Sequence, residues 1–174
     1  MSLELSLRLR RPLSAGLVLA LVVGGAAALW PDRSAAAAGP FQPFVGNWFG
    51  GGQIVGSNGV PERIRCRANE EEANRGEALS LRLVCASPSY RIDIQSYDEA
   101  SGRTVQGTWQ ETTRNVSGQL TGTIEGGRFQ GAVSGPGFTA QMYLRSDGRR
   151  QFVDIRPSAG DIADVRIDLE RRRG

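Results

Sequence analysis

Histidine does not occur in the 174 residues, and neither does lysine: all 21 basic residues are arginine. Without histidine there is no Ser-His-Asp or Cys-His pairing. Without lysine there is no Schiff base, Ser-Lys dyad or phosphate-loop lysine. Cysteine is limited to Cys66 and Cys85. Two thiolates with no imidazole make a poor zinc set, whereas in an oxidising compartment such a pair is most simply a disulfide. The enzyme chemistry left is a carboxylate pair, but Glu62, Glu111, Asp154 and Asp168 are scattered, and no spacing singles out an acid and a base. Asp161, Asp164 and Asp168 lack the glycine and ligand density of a calcium loop and read as a solvated turn. Ser87 and Ser89 flank Pro88 with no activating base and also read as a turn. The chain is expected not to be an enzyme, and no cofactor or metal is implied.

Long apolar runs are confined to the first 38 residues. Arg8, Arg10 and Arg11 precede "LSAGLVLALVVGGAAALW" at 13–30, and Ala36 and Ala38 supply small residues before Gly39. This order is that of a signal peptide over residues 1–38, expected as a helix ahead of the folded domain, with an uncleaved inner-membrane anchor as the alternative. Residues 39–44 then read as a short linker and 45–174 as the folded domain. Export to the periplasm or the medium follows. Four arginines and two acids fall in the leader, so the remainder holds 17 arginines against 16 carboxylates. That near balance gives no reason to expect a nucleic-acid partner. The expected partners are a small hydrophobic ligand or an envelope protein, with membrane contact only through an uncleaved leader.

Beyond residue 60 the pattern has a period of two. "RIRCR" alternates Arg63, Arg65 and Arg67 with Ile64 and Cys66. "LSLRLVC" sets Leu79, Leu81, Leu83 and Cys85 on one face, and "YRIDI" and "VRIDLER" behave alike. Glycine-rich breakers recur between these segments, as expected for hairpins. "NEEEANRGEA" at 69–78 lacks an apolar face and reads as a charged turn, with "EEE" at a wet tip. The prediction is an all-β domain of eight to ten antiparallel strands, closed as a barrel, with a sandwich as the alternative. Cys66 and Cys85 flank one predicted hairpin on the apolar parity of their strands, placing them opposite each other. The glycines at 118, 122, 126, 131 and 135 are read as sites of strong wall curvature, with close approach of a ligand as the alternative.

The chain from Gly46 through Trp48 resembles the Gly-x-Trp motif that opens the first strand of lipocalins and other calycins. That resemblance implies a barrel closed at one end by the tryptophan, with a basic residue of the last strand across the indole. Arg171, on the parity of Ile167 and Leu169, is the matching residue. The motif and the cysteine pair are also similar to small bacterial inhibitors of secreted metalloproteases, in which an amino-terminal trunk, here 39–45, would enter the protease. "WFGGG", "CRA", "CASPSY" and "GTWQETT" resemble uncharacterised secreted proteins of alphaproteobacteria, which implies a fold and a compartment but no activity.

Overall fold

The computed structural model describes residues 38–172, so the leader and its expected helix lie outside the described residues. Ten strands follow in chain order: β1 (Gly46–Gly56), β2 (Pro61–Ala73), β3 (Ala78–Ala86), β4 (Arg91–Ser101), β5 (Thr104–Glu111), β6 (Val116–Glu125), β7 (Arg128–Gly135), β8 (Phe138–Ser146), β9 (Arg150–Pro157) and β10 (Ile162–Arg171). Each pairs antiparallel with its neighbours in sequence, and β1 pairs with β10, so the sheet is a closed up-and-down barrel and not a sandwich. Closure leaves no strand with unpaired edge groups.

Alternation sorts the side chains. Trp48, Ile54, Ile64, Cys66, Cys85, Val153, Val165, Ile167 and Leu169 turn inward and form one buried cluster. A second joins Phe41, Phe44, Leu79, Val105, Leu120, Ile124 and Phe129. The two-residue turn Gly126–Gly127, with φ of 55° and 73°, links β6 to β7 and needs the left-handed region at both positions.

The charged stretch after residue 69 is strand, not turn. β2 continues through Glu70, Glu71 and Glu72 to Ala73, and only Asn74–Gly76 form a short 3-10 turn. The inward parity of Ile64, Cys66 and Ala68 therefore carries on to Glu70, which is buried at 2% exposure. The strand continues because β1 and β3 pair with it as far as Glu70 and Ala73. Backbone pairing outweighs the poor strand propensity of three glutamates.

The inward glycines Gly122 and Gly131 face each other across β6 and β7, and side chains there would collide with strand backbone and with the Phe129 ring. Trp109 lies in the same way against Gly118 and Gly135. These four glycines leave the space that the Phe129 and Trp109 rings occupy against the wall. Gly126, by contrast, belongs to the β6–β7 turn.

Candidate functional site: the barrel interior

The two ends of the barrel differ. At the end where β1 begins and β10 finishes, residues 40–44 make a turn that places Phe41 and Phe44 inside, at 3% and 1% exposure. The stretch expected as a linker is thus packed into the barrel as a plug. Four strands hold it. The Trp48 indole N–H donates to the Phe44 carbonyl (2.7 Å), and the Gln151 amide donates to the same oxygen (3.3 Å). The Ser146 hydroxyl donates to the Pro43 carbonyl, and the Arg171 guanidinium to the Val45 carbonyl (2.6 Å).

The residues of the Gly-x-Trp resemblance meet here. Trp48 pairs with Arg171 in the β1–β10 register, and the guanidinium carbon lies 5.8 Å from the indole centroid. Gly46 has φ of 144°, and a Cβ there would lie 2.7 Å from Arg171 Nε. The glycine is needed because the arginine lies against its backbone. Cys66 and Cys85 are cross-strand neighbours joined by a disulfide, with Cα atoms 4.1 Å apart and both side chains inside.

Above the plug lies a polar group that sequence reasoning missed. Glu70 accepts a hydrogen bond from the Gln151 amide at 2.7 Å. Burial pushes its carboxyl up to about 8, helped by the negative charge of Asp98 and opposed by the Gln151 bond, so it is mostly protonated at neutral pH. Asp98 accepts from the Ser96 hydroxyl (2.8 Å), and burial raises it to about 6. Its Oδ1 has no hydrogen-bond partner among the described residues. The signal for Glu70 was available: counting by two from Ile64 places it inside.

Toward the opposite end the inner wall is less deeply buried. Leu83, Ile92, Ile94, Trp109, Met142 and Ile155 all point inward by register, yet each is only half-buried. Glu111 marks the rim. Burial would raise its pKa, but bonds from the Thr113 hydroxyl and from the N–H groups of Asp93, Arg114 and Thr113 outweigh it and hold it at about 2. This ionised carboxylate organises the β5–β6 turn. Ser87 and Ser89 lie in the β3–β4 turn, where Ser87 bonds Tyr90 and Ser89 donates its N–H to Glu62. Asp154 and Asp164 face out and pair with Arg156 and Arg166, and Asp168 is outward as well. Among the described residues no three acids or cysteines converge as a metal site, and no helix is long and apolar enough to cross a membrane.

Solved structures share this architecture. Rv2717c from M. tuberculosis superposes with a TM-score of 0.61 at 13% identity, covering 78% of this chain and 99% of that one. The S-type phycobiliprotein lyase CPES from Guillardia theta gives 0.54 at 10% identity, covering 77% and 91%. The likeness is one of fold. No family model and no curated protein matches the chain.

Proposed function

We propose that the protein is an exported, non-enzymatic binding protein that takes a small apolar or amphipathic molecule through the open end of its barrel. The observation that carries this reading is the contrast along the interior. One end is filled by Phe41, Phe44 and Trp48, while inward aliphatic and aromatic side chains at the other stay partly exposed. Solvent-exposed apolar surface inside a barrel is what a guest would cover. Eight strands already enclose room for one small ligand, and the diameter grows with strand number. The disulfide favours an oxidising compartment and so supports export. The segments similar to secreted alphaproteobacterial proteins support the same compartment.

The test is energy transfer from Trp109 to a dansyl-labelled fatty acid. The expected result is saturable transfer, weakened about tenfold or more by Met142→Trp, which fills the inner wall. Absence of saturable transfer from the folded wild-type protein overturns the reading.

A further inference from the structure

The strand that the sequence writes as "RIRCR" presents a column of cations on the outside of the barrel. Arg63, Arg65 and Arg67 all point outward from β2 and are exposed. Alternate residues of a strand lie about 7 Å apart, so the column runs about 14 Å. Among the described residues no carboxylate is within ion-pair distance of any of the three. Their lateral neighbours are uncharged: Gln53, Gly51 and Phe49 on β1, and Ala86 and Val84 on β3.

On β2 itself Glu62 precedes Arg63 but accepts the Ser89 N–H (2.9 Å), and Glu71 lies two outward positions beyond Arg67. Across the sheet, carboxylates come only one strand further out, about 10 Å away, close to the screening length at physiological salt. Two of these are engaged elsewhere, Asp93 by Arg82 (3.0 Å) and Glu170 by Arg150 (3.5 Å). Asp168, across Gly51 from Arg65, remains. A groove of about 930 Å³ lies beside the column, lined by Gln53, Arg63, Arg65, Ala86, Ser87 and Pro88. Exposed apolar groups bracket it. Phe49, opposite Arg67, is 42% exposed with the Arg172 guanidinium 5.2 Å from its ring, and Val60, in the β1–β2 turn, is 60% exposed.

We propose that this wall docks the barrel on an anionic phospholipid surface, with Arg63, Arg65 and Arg67 on lipid phosphates and Phe49 and Val60 in the headgroup layer. A convex wall touches a flat layer along a line, and the unpaired arginines form such a line. Guanidinium groups bind phosphate bidentately, and aromatic and aliphatic side chains beside them are suited to the interface. The apolar bracket favours lipid over nucleic acid, which would use charge and stacking without Val60. This surface is separate from the interior and does not depend on what the barrel holds.

The test uses residues 39–174, which hold all ten described strands, the plug, the disulfide and both described core clusters. Circular dichroism verifies folding of each variant. Flotation with phosphatidylcholine vesicles containing phosphatidylglycerol is compared with flotation on phosphatidylcholine alone. Binding should require the anionic lipid and fall with salt. Each arginine at such a surface contributes about fivefold, so R63Q/R65Q/R67Q should lose on the order of 100-fold. The control R103Q/R128Q/R145Q removes equal formal charge from the β4–β5 turn, where Arg103 pairs with Glu125 (2.7 Å), and from β7 and β8, and should stay within about threefold of wild type. The proposal is overturned by no binding to the anionic vesicles, by equal losses in both triple variants, or by arginine-dependent binding of polyuridylate tighter than that of the vesicles.

Discussion

Arg171 lies directly across the seam from Trp48, and Gly46 is the residue that makes room for it. The guanidinium joins three things: it covers the indole, donates to the Val45 carbonyl at 2.6 Å and donates to the Gly148 carbonyl at 3.2 Å. Arg171→Ala should therefore cost about 1–2 kcal/mol, since an exposed cation–π contact and two backbone bonds are lost together. Gly46→Ala should cost about 1–3 kcal/mol through positive φ and displacement of the arginine. Urea titration followed by tryptophan fluorescence measures both. Near-additivity of the two costs in the double variant would refute the coupling.

The disulfide gives a second prediction. Cys66 and Cys85 are separated by 19 positions, and a loop of that size contributes about 3 kcal/mol in the chain-entropy model. Cys66→Ala/Cys85→Ala should lower stability by about that amount. Reductant should do the same to wild type and nothing to the double variant. A wild-type midpoint unchanged by full reduction would contradict this.

The strand pattern, the pairing of Cys66 with Cys85 and the inward parity of Arg171 were legible because a period of two is a local signal with a geometric meaning. Two features were missed. Phe41 and Phe44 lie in a segment with prolines and no period, and only the barrel's unfilled end gives them a place. Glu70 was hidden for the opposite reason. Its composition, three glutamates in a row, argues for solvent, while its parity argues for the interior, and the ladder with β1 and β3 decides. The partial exposure of the inner wall is a property of ten strands closing together, so no single segment encodes it.

Glu70 should make the barrel less stable as pH rises. In the unfolded chain its carboxyl ionises near 4.5, and in the fold only near 8. Below 4.5 both states are protonated and the group is neutral to stability. Between 4.5 and 8 the unfolded state releases its proton while the fold keeps it, so stability falls by up to about 1.4 kcal/mol per pH unit. Asp98 acts in the same sense over its lower window, ending near 6. Glu111, held near 2, acts oppositely: its contribution is present above the unfolded value and is lost as pH falls toward 2. Glu70→Gln keeps an acceptor for Gln151 and removes the ionisation. Urea midpoints should show the variant more stable than wild type at pH 8.5 by more than about 1 kcal/mol, with the difference shrinking by pH 5. Parallel pH profiles for the two proteins would count against a buried, ionisable Glu70.

The plug makes a prediction that also separates two readings of residues 39–44. As packed, Phe44 fills the closed end with its ring, while its carbonyl takes the Trp48 indole and the Gln151 amide. Phe44→Ala leaves a cavity between two clusters and should cost about 3–5 kcal/mol. Deleting 39–44 should cost more, because the Trp48 N–H loses its acceptor and water reaches the polar group behind it. In a Trp109→Phe background, iodide quenching reports Trp48 alone in residues 39–174, and it should rise sharply on deletion. Hydration of Glu70 should also lower its pKa and flatten the pH slope above. A protease-inhibiting trunk would behave in the opposite way, since its removal would abolish inhibition yet leave stability and Trp48 quenching unchanged. Loss of several kcal/mol together with quenching of Trp48 would place these six residues within the folding unit.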